Sequence, residues 1–218
     1  MSKFVKVAAA VVVALAAVGS AQAAKPTPTD KYVFKNARGQ HAVSIRPHPV
    51  PAGTVPCLTA TGRTSNGEFR SGDANNSVVE LNIGAGNSLQ GVAVDASVTA
   101  NDPSWLFEAR ITFSSSDPKD PNAITYTASE TEEPGTEETS TGGVVMFADI
   151  PLDDIPVGKD GILRIEWHED FDDTSVDPDA NWAAAAAPAV CQGVRLICSN
   201  QSACDVTVPV SLQQFSVD

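Results

Sequence analysis

Hydrophobic and polar residues alternate in short runs along most of the chain. In the run Gly91 to Thr99, one face of an extended strand carries Val92, Val94, Ala96 and Val98. In the run Ile162 to Trp167, polar residues alternate with Leu163, Ile165 and Trp167. A period of two is typical of strands with one face buried. These segments therefore predict β-strands, not helices.

Ten runs of this kind are separated by turns rich in Gly, Pro, Asn and Asp. No helical crossover is expected between them, because Pro188 follows Ala183–Ala187 directly and five alanines form at most one turn. The pattern predicts an all-β fold, an antiparallel β-sandwich of jelly-roll type with long acidic loops. The predicted strands are Lys31–Lys35, His41–Arg46, Val78–Ile83, Gly91–Thr99, Leu106–Phe113, Ala123–Thr127, Val144–Ile150, Ile162–Trp167, Val194–Ile197 and Val206–Val217.

The N-terminal segment differs from the rest of the chain. Lys3 and Lys6 precede an apolar run that ends at Gly19, and Ala21-Gln22-Ala23 follows. This is the pattern of a secretory signal with an A-x-A cleavage site, and the run is shorter than the ~20 residues that span a bilayer. We expect a signal peptide at 1–23, a flexible linker at 24–30 and a single domain at 31–218. The product would be secreted or periplasmic, with no membrane insertion after cleavage.

The chain is strongly acidic, with 14 basic and 27 acidic residues and a net charge of −13. Loss of Lys3 and Lys6 with the signal peptide makes the charge −15. Nucleic-acid binding depends on Lys and Arg neutralising phosphates, so we expect no nucleic-acid partner. A divalent cation is the partner that such a field favours.

Four cysteines remain in the exported chain, and an even number in an oxidising compartment predicts two disulfides. Four cysteines allow three pairings. A hairpin predicted around the polar segment 199–203 favours a Cys198–Cys204 bridge, which leaves Cys57 and Cys191 to pair. No CxxC pair is present, so a zinc site is not expected.

The sequence offers little support for nucleophilic catalysis. Only His41, His48 and His168 could act as an imidazole base, and no G-x-S-x-G motif is present. A glycosidase needs two carboxylates ~5 to 9.5 Å apart, a pair that so acidic a chain supplies without specificity. The tryptophans Trp105, Trp167 and Trp182 are candidates for stacking on sugar rings, although core packing is their more frequent role.

Two segments concentrate the acidic residues. Ser129–Gly143 has five glutamates and no aromatic residue, which predicts a long mobile hairpin loop, with a cation-responsive loop as the alternative. The second segment, Glu166–Asp179, has seven carboxylates and no Lys or Arg. Calcium takes six to eight oxygen ligands, and flexible loops rich in Asp often supply them. A structural calcium ion and a solvated acidic loop are both open interpretations of this segment.

The segments Ser104–Glu108 and Gly161–Asp173 resemble a pattern in secreted bacterial proteins. Those proteins in turn are similar to calcium-associated jelly-roll modules of the galactose-binding-like and P-domain type, which accompany secreted proteases and carbohydrate-active enzymes. The resemblance covers roughly Val78–Trp182. It implies calcium ligands at Glu108, Asp170, Asp172 and Asp173, and the acidic segment adds Asp177 and Asp179.

Three functional hypotheses follow. The first is an exported, non-enzymatic β-sandwich protein with a structural Ca²⁺ ion that binds a glycan or a protein partner. The second is a secreted glycan hydrolase that uses carboxylates of the acidic segment. The third is a purely structural envelope protein.

Overall fold

The computed structural model describes residues 33–49, 57–186 and 192–204. The predicted signal peptide, the linker, Cys191 and the predicted strand Val206–Val217 lie outside these residues. No helix in the described ranges is both long and apolar enough to cross a bilayer.

Two antiparallel sheets pack face to face, which confirms the predicted all-β sandwich. The first sheet has the order β2-β1-β8-β7-β12-β5, and the second has the order β3-β14-β6-β13-β4, with β9, β10 and β11 also pairing with β6. The strands of the described ranges are β1 (Phe34–Asn36), β2 (His41–Ala42), β3 (Leu58–Thr59), β4 (Arg63–Ser65), β5 (Val78–Asn82), β6 (Ser88–Ala100), β7 (Ala109–Ser115), β8 (Ala123–Thr127), β9 (Gly135–Ser140), β10 (Val145–Met146), β11 (Ile155–Pro156), β12 (Ile162–Glu169), β13 (Ala180–Ala184) and β14 (Gly193–Cys198).

The core lies between the sheets and is built from the alternating apolar faces. Strand β6 contributes the predicted even-numbered residues, and β12 contributes Leu163, Ile165 and Trp167. Strand β6 is the centre of the second sheet, since β9, β10 and β11 pair along one side of it and β13 and β14 along the other. Burial of these apolar faces is the main driving force for the fold.

Several local predictions were wrong. The predicted strands Leu106–Phe113 and Val144–Ile150 each include a 3₁₀ helix, at Leu106–Glu108 and Phe147–Asp149. Residues 129–143 are not one mobile loop, because β9 (Gly135–Ser140) pairs in register with the second half of β6. The alanine run is not a turn at its start, because β13 continues to Ala184. After β14 the chain forms a short helix, α1 (Gln201–Cys204), where the sequence predicts a hairpin loop. In each case tertiary pairing or packing overrides the local propensity.

The predicted bridge between Cys198 and Cys204 is present and ties α1 to the end of β14. Cys57 is also disulfide-bonded. Its predicted partner, Cys191, lies outside the described residues. Two short 3₁₀ helices, Leu106–Glu108 and Phe147–Asp149, complete the described secondary structure.

Candidate metal centre

Acidic side chains gather at the end of the sandwich where β12 finishes. Glu169 is the last residue of β12, and it falls on the same face as Leu163, Ile165 and Trp167. The alternation that fills the core therefore also places this carboxylate between the sheets. Its side chain has no exposed surface.

The β12–β13 loop brings a second carboxylate to the same place. Asp179 directly precedes β13 and is also fully buried. The backbone N–H of Asp173 donates to Asp179 Oδ2 at 2.9 Å, so the loop folds back on itself here. The side chain of Asp173 is buried as well.

Strand β4 contributes Ser65, which contacts the cluster. The hydroxyl of Ser65 donates a short hydrogen bond to Glu169 Oε1. The same Ser65 oxygen accepts a hydrogen bond from the indole of Trp182 at 3.1 Å. Ser65 thus fixes one oxygen of Glu169 and ties it to the core.

The fourth acidic residue is the last residue of the 3₁₀ helix that directly precedes β7. Glu108 is buried, and its Oε2 accepts the backbone N–H of Trp105 at 2.9 Å. Ala109 pairs with Glu169 in the register of β7 and β12, which places Glu108 beside the end of β12. Four buried carboxylates therefore belong to this cluster: Glu108, Glu169, Asp173 and Asp179.

Arg110 supplies positive charge beside the cluster. Its guanidinium is fully buried and donates to Asp170 Oδ2 from Nη2 at 2.6 Å and from Nε at 3.2 Å. The guanidinium also lies 4.3 Å from the centre of the Phe107 ring. Asp170, a predicted metal ligand, is therefore held in an ion pair with Arg110.

One oxygen of Glu169 and one of Asp179 differ from their neighbours in their hydrogen bonding among the described residues. No donor among the described residues makes a hydrogen bond of good geometry to Glu169 Oε2 or to Asp179 Oδ1. The Ser104 hydroxyl lies near Asp179 and lowers its pKa, but not in hydrogen-bond geometry. A buried carboxylate oxygen without a partner is costly, so such groups are normally paired with a donor, coordinated to a metal or protonated.

The pKa values of the buried carboxyl groups reflect this cost. Burial raises the pKa of Asp179 from 3.8 to about 7, with further contributions from the charges of Asp173 and Asp172. Burial also raises the pKa of Glu169 well above its usual value, and Asp179 and Glu108 add to the shift. Hydrogen bonding to Ser65 and the charge of Arg110 oppose it. Like charges held together in a region of low dielectric favour either a proton or a cation.

The remaining predicted ligands lie on the outer side of the loop. Asp172 is partly exposed, and its pKa is raised by burial and then by the charges of Asp73, Asp177, Asp173 and Glu68. Asp177 Oδ1 accepts a hydrogen bond from Asn75 at 3.2 Å. Asp172 and Asp177 thus form an outer acidic rim, separate from the buried cluster.

The sequence did not single out Glu169, Ser65 or Ser104 as parts of a site. Glu169 could have been found from the period of two, because residue 169 continues the inward face of 163, 165 and 167. Ser65 and Ser104 lie far away along the chain, and no local signal connects them to residue 169.

The predicted sugar-stacking residues have different positions. Trp167 and Trp182 are buried in the core. Their rings are therefore not available at the surface. Trp105 is partly exposed and lies at the same end of the sandwich as the acidic cluster. It is the only one of the three with a surface position.

The donor set consists of carboxylates and nearby hydroxyls, which suit a hard cation such as Ca²⁺. Within the described part of the chain, no group of three or more His, Cys, Asp or Glu side chains is already arranged to hold an ion. Binding would therefore require the carboxylates to close around the ion.

Comparisons with known proteins add no family. No protein family, curated protein or solved structure matches the chain.

Proposed function

We propose that this is an exported, non-enzymatic β-sandwich protein whose fold is completed by a structural Ca²⁺ ion at the end of β12. The supporting observation is that Glu169 and Asp179 are fully buried and that each has one oxygen without a hydrogen-bond donor among the described residues. The ligands would be Glu169, Asp179 and Asp173. Glu108 would be the fourth carboxylate of the buried cluster around the ion.

The physical argument is electrostatic. Four carboxylates are buried at this end of the sandwich, and Arg110, whose charge acts on Glu169, is paired with Asp170. A bound divalent cation removes the repulsion and replaces lost hydration, so binding and folding are coupled. At a free ion concentration 100 times the Kd, the ion stabilises the fold by about 2.7 kcal/mol.

The hydrolase hypothesis receives less support from these residues. Glu169 and Asp179 have no exposed surface, so a glycan chain cannot reach them in this conformation. A catalytic pair must contact the scissile bond. The buried pair is therefore better suited to hold a small ion than to act on a polymer.

The partner that we propose is a glycan or a protein. A groove of about 390 Å³ between residues 33–45 and 126–140 is one place for it. Val43, which is 63% exposed, lines this groove together with Glu130 and Glu138. This combination of apolar and acidic side chains fits a protein segment better than a sugar, since the groove has no exposed aromatic ring among its lining residues.

Thermal unfolding tests the ion. The mature protein is first treated with a chelator and then melted with Ca²⁺, with Mg²⁺ or without either. We expect Ca²⁺ to raise the melting temperature by several degrees and Mg²⁺ to raise it less, because Mg²⁺ demands a tighter octahedral site. A melting temperature unchanged by Ca²⁺ at millimolar concentration would remove the ion from the proposal.

A further inference from the structure

The segment 66–77, which we name the cover loop, connects β4 to β5 and lies on the outer face of the first sheet. The alternation of β12 directs Glu166 and His168 to this outer face, which one would expect to be exposed to water. Both side chains are instead buried. The ring of Phe69 lies 5.4 Å from the ring of His168, and Arg70 N donates to Glu166 Oε1 at 3.1 Å.

The first residues of the cover loop are bonded directly to the acidic cluster. Asn66 Oδ1 accepts the backbone N–H of Asp179 at 3.1 Å. The carbonyl of Gly67 accepts the backbone N–H of Glu169 at 3.1 Å. The two residues that carry unsatisfied carboxylate oxygens therefore also anchor the loop.

A second link lies further along the loop. Asn75 Nδ2 donates to Asp177 Oδ1 at 3.2 Å, which connects the cover loop to the outer acidic rim. Asn76 holds the loop closed, because its amide donates to the Gly67 carbonyl at 2.9 Å and to Glu166 Oε1 at 3.2 Å. Its own oxygen accepts the N–H of Asn66 at 2.9 Å.

The tip of the loop is strained and held by long-range contacts. Arg70 has a φ of 59°, which is rare for a residue other than glycine and costs of order 1 kcal/mol. Its guanidinium donates to the carbonyls of Ser115 at 2.7 Å and Asp117 at 3.0 Å. Closure of the loop thus depends on its anchors being in place.

We propose that the cover loop is a calcium-dependent cover for the outer face around Glu166 and His168. With the ion bound, Glu169 and Asp179 are drawn together, and their backbone N–H groups hold Asn66 and Gly67 in the closed position. Without the ion, repulsion among the carboxylates spreads the β12–β13 loop and weakens these anchors. The calcium concentration then sets how often the cover loop opens. This inference rests on the proposed ion site.

Limited trypsin digestion of the mature protein tests the cover, because the bond after Arg70 lies at the tip of the loop. The bond after Lys159, in the exposed turn before β12, is the internal control. We expect Ca²⁺ to slow cleavage after Arg70 at least tenfold relative to chelator and to change cleavage after Lys159 less than twofold. Asn76→Ala removes the closing bonds and no carboxylate. It should therefore be cut rapidly after Arg70 with or without Ca²⁺, while Ca²⁺ still raises its melting temperature.

The outcomes separate the two proposals. If Ca²⁺ raises the melting temperature of the wild-type protein but leaves cleavage after Arg70 unchanged, the cover is overturned and the ion site stands. If Ca²⁺ alters neither, the ion site and the cover both fall. If Asn76→Ala retains slow, calcium-dependent cleavage, the cover is not closed by the bonds described here and the inference is overturned.

Discussion

Replacing Asp179 by Asn should stabilise the protein by an amount that depends on calcium. Asparagine has the shape of aspartate without its charge, so Asp179→Asn keeps an oxygen to accept the N–H of Asp173. It removes the buried charge and supplies an amide donor where Asp179 Oδ1 has no partner among the described residues. The variant should therefore be more stable than the wild-type protein in chelator, and it should lose most or all of that advantage in calcium.

The magnitude follows from the pKa. Burial raises the pKa of Asp179 from 3.8 to about 7. This difference corresponds to a penalty of about 4 kcal/mol when the group is ionised, at 1.36 kcal/mol for each pH unit. Local relaxation and water penetration reduce it, so we expect Asp179→Asn to gain about 2 to 4 kcal/mol in chelator at pH 7.5. In calcium at 100 times the Kd, the wild-type protein gains about 2.7 kcal/mol that the variant lacks.

The pH dependence provides an internal check on the sign. A carboxyl group with a raised folded-state pKa contributes most stability below its unfolded pKa and loses that contribution as the pH rises through the folded pKa. In chelator, the gap between Asp179→Asn and the wild-type protein should therefore be largest above pH 7 and shrink towards pH 4. Urea unfolding at several pH values measures it. A variant that is destabilised equally with and without calcium would show that Asp179 has only a structural role, and the reasoning would be refuted.

Three further predictions concern the surroundings of the site and the C-terminal bridge. Ser65→Ala removes the hydroxyl that Glu169 and the Trp182 indole share. It should lower the free energy of unfolding, measured in urea, by about 2 to 4 kcal/mol, whereas Ser65→Thr keeps the hydroxyl and should lower it less. Burial lowers the pKa of His168 below 6.5, so its contribution to stability should be lost as the pH falls below that value. His168→Gln should therefore reduce the loss between pH 7.5 and 5.5 by roughly 1 kcal/mol, and an identical pH profile would contradict this assignment. Replacing Cys198 and Cys204 together by serine should lower the unfolding free energy by about 2 kcal/mol, the value expected for so short a closed loop, and no change in the urea midpoint would argue against it.

Much of the sandwich could be predicted because its strands follow a period of two. The even-numbered residues of β6 and the odd-numbered residues of β12 form the core as the alternation indicates. The strand β9 was missed because its side chains are mostly Thr and Glu and its conformation is set by pairing with β6, not by its own propensity. The strands β3, β4 and β11 are two or three residues long, which is too short for any periodicity to be read.

The candidate site could be predicted only in part. The sequence indicated the acidic segment and Glu108, and the structure places Glu108, Asp173 and Asp179 in the buried cluster with Glu169. Asp170 is instead paired with Arg110, a residue 60 positions away. Whether a carboxylate turns inward or pairs with a distant cation is decided by tertiary packing, so a count of acidic residues along one segment cannot reveal it.

The central position of β6 has a consequence for how the chain folds during synthesis. Residues 88–100 emerge from the ribosome well before their partner strands β9, β10, β11, β13 and β14, the last of which ends at Cys198. Both edges of β6 carry unpaired backbone groups until those partners arrive, and such edges promote association between unfinished chains. Long-range pairing of this kind is slow, because distant segments must come together before the contacts between them can stabilise the chain. The nascent protein therefore depends on remaining apart from other copies until β14 has been made.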